Sequence, residues 1–203
     1  MVKEEEYIEF TKLTTEQARS FIRDSASVTW IIRDIISSYI PDEATVLDVG
    51  CGNGNDALRY SSEKYTGVDI SLPLLEAAKE YCPSHSFKQC DAANLPFEDE
   101  SFDYVFCVSL LEHLHSLEDT RDCFREMVRV AKNGVLVSWH NPPYDEGESR
   151  IKTSIDETGR HFGHRKWSNW FKTSDLTEGI LGPTMKLTHT VYGDKLSLWS
   201  IAK

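Results

Sequence analysis

Residues Val46 to Asp56, reading Val-Leu-Asp-Val-Gly-Cys-Gly-Asn-Gly-Asn-Asp, constrain the fold more than any other stretch, because an apolar run leads straight into three glycines spaced two apart. A short, nearly continuous apolar run of this kind reads as a strand covered on both faces, as in parallel sheets. Glycines let the backbone turn tightly and let a ligand approach the amides. A helix following from Asp56 to Lys64 would add unpaired N–H donors at its N-terminus, so the loop is expected to receive an anionic ligand group.

From Thr45 onward, short apolar runs alternate with helical stretches, the pattern of a parallel sheet covered by helices. The runs are Thr45 to Val49, Tyr65 to Ile70, Ser86 to Cys90, Phe102 to Val108 and Val135 to Trp139. Asp56 to Lys64, Leu72 to Tyr81 and Leu117 to Lys132 read as helices, the last closed by Asn133-Gly134 as a left-handed stop signal. Ahead of this core, Thr14 and Gln17 have capping-box spacing, and apolar residues recur at helical period up to Pro41, with a break near Ser25 to Ser27. After it, Met185 to Tyr192 and Leu196 to Ala202 are strand-like and joined by Gly193-Asp194, which leaves room only for an antiparallel hairpin.

The 203 residues, 40% of them hydrophobic, suit one domain. A formal charge of -11 disfavours a nucleic-acid substrate, since phosphate backbones are held by Lys and Arg. Five scattered cysteines without CxxC spacing read as reduced thiols, and the acidic start Met-Val-Lys-Glu-Glu-Glu does not read as a secretory signal. No apolar run approaches the roughly 20 residues that cross a bilayer. The expectation is a cytoplasmic protein without membrane spans, its oligomeric state open.

Two further segments sharpen the reading of the glycine loop. Gly67-Val68-Asp69-Ile70-Ser71 puts a carboxylate at the end of the second strand, where it can accept from two ribose hydroxyls. Nicotinamide enzymes share that feature, but their loop has GxGxxG spacing, whereas here the glycines stand at 50, 52 and 54 and position 55 is Asn. Cys90-Asp91-Ala92-Ala93-Asn94-Leu95-Pro96-Phe97, followed by Ser101-Phe102-Asp103, is the second segment.

Taken in order, Asp48-x-Gly50-x-Gly52-x-Gly54, Asp69 and the Asp91 to Asp103 segment resemble the motifs of class I S-adenosylmethionine-dependent methyltransferases, in their small-molecule branch. The resemblance covers about residues 44 to 140. It implies an α/β fold, a doubly wound, mostly parallel seven-stranded sheet with a C-terminal antiparallel hairpin and helices on both faces. Residues 1–42 would be an N-terminal helical cap, 44–140 the cofactor-binding core, 141–180 a substrate or lid segment and 185–202 the hairpin. S-adenosylmethionine is the implied cofactor and S-adenosylhomocysteine its product. Gly50, Gly52 and Gly54 would approach the amino-acid portion with Asp48 shaping the loop, and Asp69, with Ile70 beside it, would hold ribose. The Asp91 carboxylate would accept from the adenine amino group, the Ala92 N–H would meet a ring nitrogen, and Val108 opens the segment beside the methionine end. One departure is Lys132-Asn133-Gly134-Val135 where the family has Lys-Pro-Gly-Gly.

His113 is the best placed general base, and a structural histidine at the same turn is the other reading. His140, His161 and His164 are further imidazoles, but no spacing supports a metal site. Asn141-Pro142-Pro143-Tyr144 reproduces the signature of methyltransferases that act on amide or exocyclic amino nitrogens. There it follows strand four, and here it follows strand five, so a Pro-Pro turn opening a substrate loop competes with that reading. Asp145 to Arg160 reads as a solvated loop or a lid. Trp139, Tyr144, Phe162, Trp167, Trp170 and Phe171 either line an aromatic pocket or pack the last helix onto the sheet, and Arg165 and Lys166 could meet an acidic acceptor. The expected reaction is methyl transfer to an oxygen or nitrogen of a small or medium-sized acceptor. The alternatives are an amino-nitrogen methyltransferase acting on a macromolecule and a non-catalytic nucleoside-binding protein on the same fold.

Overall fold

In the computed structural model, the described residues are 14, 16, 29–114, 116–139, 150–153, 167–170, 173–192 and 196–203. Seven strands form one sheet in the order β3-β2-β1-β4-β5-β9-β8, and β6-β7 form a second, two-stranded sheet. The strands are β1 (Val46–Val49), β2 (Tyr65–Asp69), β3 (Ser86–Gln89), β4 (Phe102–Val108), β5 (Ala131–Trp139), β6 (Arg150–Thr153), β7 (Trp167–Trp170), β8 (Lys186–Tyr192) and β9 (Leu196–Ala202). The helices are α1 (Thr29–Tyr39), α2 (Leu72–Tyr81), α3 (Leu117–Val130) and α4 (Thr173–Thr177). Strands β1 to β5 run parallel, β9 runs against β5, and β8 runs against β9. Two reversals cancel, so β9 alone opposes the direction of the other six.

Side chains alternate across this sheet with the period of two that extended backbone imposes. Val46, Phe106, Leu136 and Leu198 face one side, where Ile32, Ile36 and Ile40 of α1 and the stretch just after it cover them. Leu47, Val49, Val105, Val135, Val137 and Trp199 face the other, beneath Cys123, Phe124 and Met127 of α3 and Leu176 of α4. The i, i+4 isoleucines make α1 a one-faced helix, and Pro41 follows its end. For α3, the Ser116 hydroxyl accepts from the Asp119 N–H at 3.0 Å, Glu118 and Asp119 occupy the positive first turn, and Arg129 the last.

Three expectations need correction. Asp56 to Lys64 forms only a 3-10 turn at Ala57–Arg59, after which Tyr60 is extended with φ -126 and ψ 155. Tertiary contacts override helix propensity here. Asp56 pairs with Arg33 of α1, Arg59 pairs with Asp34, and the Tyr60 ring stacks on Tyr65 with centroids 5.9 Å apart. Asn133-Gly134 does not stop α3, which ends at Val130, with Ala131 extended at φ -81 and ψ 137 as the first residue of β5. The pair lies where the β4-β5 register shifts between Phe102/Ala131 and Tyr104/Gly134. A Cβ at Gly134 would come within 2.9 Å of the Ile201 carbonyl, so close packing in the sheet, not a turn, explains the glycine. Finally, β6 lies inside the expected loop Asp145 to Arg160 and pairs antiparallel with β7, the strand that carries Trp167 and Trp170. The cap before residue 29, apart from Thr14 and Glu16, lies outside the described residues. So do His140, Asn141 to Tyr144, His161 to Lys166, Phe171 and the turn Gly193-Asp194.

Candidate cofactor and methyl-transfer site

The strand order brings the carboxyl ends of β3, β2, β1 and β4 side by side, which is where open α/β sheets bind ligands. Register pairs Asp69 with Gln89, Val49 with Val68, Asp48 with Phe106 and Val108 with Ser138. The segments after these strands therefore meet at one edge: Gly50 to Asn55, Ile70-Ser71, Asp91-Ala92 and Ser109 to His113.

Within the loop, Gly50, Gly52 and Gly54 have φ values of 74, 55 and 78, the left-handed region that glycine enters without strain. A Cβ at Gly50 would come 2.8 Å from Leu110, and one at Gly54 would come 3.1 Å from Ala78 and Phe87. At Gly52 a Cβ would meet nothing within 4 Å, so this glycine faces open space.

Four of the loop amides are occupied internally. Gly50 and Cys51 donate to the Val68 carbonyl at 2.8 and 2.9 Å, Gly54 donates to Cys51, and Gly52 donates to Asp69 Oδ2 at 2.9 Å. Only a 3-10 turn follows, at Ala57–Arg59. Carboxylates dominate the edge. Asp48 is buried and accepts the Tyr65 hydroxyl at 2.7 Å. Burial pushes its pKa up to about 7, against the pull of that hydrogen bond and of Arg33. Burial likewise raises Asp69, opposed by the N–H groups of Ser71, Gly52 and Ile70. An edge lined by carboxylates, with four loop amides already bonded, suits a sulfonium and ammonium better than a pyrophosphate, which depends on backbone N–H donors.

Asp69 does more than end a strand, because its two oxygens tie the Gly52 N–H to the Ser71 N–H at 2.9 and 2.8 Å. Asp91 is exposed, and its Oδ1 accepts the Ala93 N–H at 2.9 Å, an Asx turn that fixes the segment containing Ala92. His113 ends a 3-10 turn, Leu111–His113, that starts three residues beyond β4 and against which β7 lies.

Some residues of this edge carry no sequence signal of their own. Tyr65 looks like any strand aromatic, although its hydroxyl serves Asp48. Ser109 has φ 53, rare for a residue with a Cβ, and its N–H reaches Ser138 Oγ at 3.0 Å. The one clue to that pair is a serine inside the apolar run Val135 to Trp139.

Comparison with known proteins agrees with this fold. Residues 47–138 match the family model described as "Methyltransferase domain". The tRNA (carboxymethyluridine(34)-5-O)-methyltransferase of Arabidopsis thaliana is 33% identical over 98 residues, 48% of this chain and 24% of the relative. The chloroplastic tocopherol O-methyltransferase of the same plant is 32% identical over 120 residues, 53% of this chain and 33% of the relative. The chain thus spans a quarter to a third of the length of these relatives. Among solved structures, the PH0226 protein from Pyrococcus horikoshii superposes with TM-score 0.63 at 22% identity, covering 100% of this chain and 99% of that one, a likeness of fold. Residues 47–138 thus resemble a methyltransferase domain, and the solved structures that share the fold include S-adenosylmethionine-dependent methyltransferases.

Proposed function

We propose that the chain transfers the methyl group of S-adenosylmethionine to an oxygen or nitrogen of a small or medium-sized acceptor. The observation that carries this reading is the single edge at which the glycine loop, Asp69, Asp91 and the His113 turn meet, with β7 lying against that turn. In this assignment Gly50, Gly52 and Gly54 pass close to the amino-acid portion, Asp48 shapes the loop from beneath, and Asp69, beside Ile70, holds ribose. Asp91 and the Ala92 N–H hold adenine, and Val108 borders the methionine end. When bound, the cofactor supplies an electrophilic methyl group on a sulfonium, open to in-line displacement by the acceptor. The protein's part is orientation and exclusion of water, with the β6-β7 sheet as one wall. His113 stands where it can take the proton that an acceptor hydroxyl or amine must lose.

The formal charge of -11 supports a compact acceptor over a polyanion, and five free cysteines support a cytoplasmic setting. Among the described residues, no helix is long and apolar enough to cross a membrane. Calorimetry should show binding of S-adenosylmethionine and S-adenosylhomocysteine and none of NAD. Incubation with methyl-labelled cofactor should then label a component of a small-metabolite extract. Label entering bulk tRNA, and no small molecule, would overturn the acceptor class while leaving the cofactor assignment in place.

A further inference from the structure

We propose that Glu126 and Arg129 of α3 are positioning residues for the adenine-binding segment, locking the backbone that follows Asp91 and thereby setting adenine selectivity. This rests on the reading that Asp91 meets the adenine amino group.

The segment after β3 keeps one backbone bond to β2, from the Cys90 N–H to the Asp69 carbonyl at 3.1 Å. Its start is held by its own Asx turn, in which Ala93 and Asn94 donate to Asp91. Its continuation, Leu95-Pro96-Phe97, is held by one ion pair from a helix more than thirty residues away. The Leu95 N–H donates to Glu126 Oε2 at 2.8 Å, and the Leu95 carbonyl accepts from Arg129 Nη2 at 3.0 Å. The Phe97 carbonyl and Asp99 Oδ1 each accept from Arg129 Nη1 at 2.8 Å. Arg129 meets Glu126 through two parallel bonds, Nε to Oε1 at 2.7 Å and Nη2 to Oε2 at 2.8 Å. The Arg129 carbonyl also accepts the Glu100 N–H at 3.0 Å, and Glu100 itself has φ 54.

Both polar backbone groups of Leu95 thus go to the same side-chain pair, while the Leu95 side chain is buried in the core and Pro96 has no N–H to offer. Hydrogen bonds from Arg129 hold Glu126 below the usual carboxylate range. An ordinary i, i+3 pair on a helix surface satisfies only itself and contributes little. This pair uses a fork geometry that a lysine cannot reproduce to fix three backbone groups of an irregular segment. Asp91 lies four residues before Leu95 with a turn between them, so releasing Leu95 frees the carboxylate to swing relative to the glycine loop.

The test compares S-adenosylhomocysteine with S-inosylhomocysteine, in which a ring carbonyl replaces the adenine amino group, by calorimetry on the full chain. Wild type should prefer the adenine ligand. Arg129→Met should weaken S-adenosylhomocysteine binding at least tenfold and bring the ratio of the two affinities close to one, and Arg129→Lys should resemble Arg129→Met. Glu126→Gln, which keeps an oxygen for the Leu95 N–H, should retain more of the ratio than Glu126→Ala. If Arg129→Met does not fold, Arg129→Lys and the two Glu126 variants decide the matter. A ratio kept at the wild-type value in folded variants overturns the positioning role, even where both affinities fall. A wild type that does not distinguish the two ligands overturns the Asp91 assignment and this role with it.

Discussion

The Tyr65 hydroxyl donates to Asp48 Oδ2 at 2.7 Å beneath the glycine loop, joining a carboxylate at the end of one strand to a phenol at the start of the next. Arg33, Asp69 and the Cys51 thiol also face this group, and burial outweighs the stabilising partners, leaving Asp48 at about 7. Folding therefore favours the protonated carboxyl. That contribution to stability is complete below the ordinary carboxylate pKa and is lost as pH rises through about 7. Asp48→Asn keeps the shape and an acceptor for Tyr65 without the charge. Urea unfolding should find wild type and variant similar near pH 4 and the variant more stable by roughly 2–4 kcal/mol near pH 8. Parallel pH profiles would show that Asp48 ionises in the folded chain without penalty.

Arg33 and Asp56 form an ion pair between α1 and the turn after the glycine loop, with side chains 17% and 5% exposed. Arg33→Met would leave the buried Asp56 carboxylate with only its longer contact to Arg59 Nε at 4.0 Å and should lower stability by about 3 kcal/mol, and adding Asp56→Asn should restore part of that loss. The neighbouring Arg59–Asp34 pair, in which Asp34 is 73% exposed, is a contrast. Asp34→Ala should change stability by less than about 1 kcal/mol. A loss below about 1 kcal/mol in both experiments would mean that α1 is held by its isoleucines and not by the buried pair.

The same pair shows where the sequence was legible. Strands β1, β2, β4, β8 and β9 and helix α2 follow the apolar runs within a residue, because alternation and helical period are local properties of the chain. The helix expected over Asp56 to Lys64 failed because Asp56 and Arg59 are bonded to α1, more than twenty residues earlier, and no local pattern reports such a partner. Asp69 was legible as a strand-end carboxylate, but not as the anchor of the Gly52 amide. Asn133-Gly134 looked like a helix stop because its role, close approach between neighbouring strands, depends on Ile201 of β9, more than sixty residues later in the sequence.

Ser109 has φ 53 directly after β4, a conformation that costs a residue with a Cβ roughly 1–2 kcal/mol. Ser109→Gly and Ser109→Ala both remove the hydroxyl, so comparing them isolates the backbone. The glycine variant should be the more stable by about 1 kcal/mol in urea unfolding. Equal stability would show that the strand end relaxes to negative φ when the hydroxyl is absent.

Asp69 has two tasks that a double comparison separates. Its oxygens tie the Gly52 and Ser71 amides together, and in the proposed site the same carboxylate accepts from ribose. Asp69→Ala should weaken S-adenosylhomocysteine binding by about 1.5–3 kcal/mol, the scale for losing hydrogen bonds to a charged group. Asp69→Asn, which keeps one acceptor oxygen, should fall between that variant and wild type. Hydrogen exchange of the Gly52 amide without cofactor should quicken in Asp69→Ala, reporting the lost anchor alone. An S-adenosylhomocysteine analogue lacking both ribose hydroxyls separates the second task. Wild type should bind it more weakly than the parent ligand, and Asp69→Ala should not distinguish the two. If the alanine variant still prefers the hydroxylated ligand as strongly as wild type does, the carboxylate shapes the loop without touching ribose. If affinity in the folded variant is unchanged, Asp69 lies outside the site.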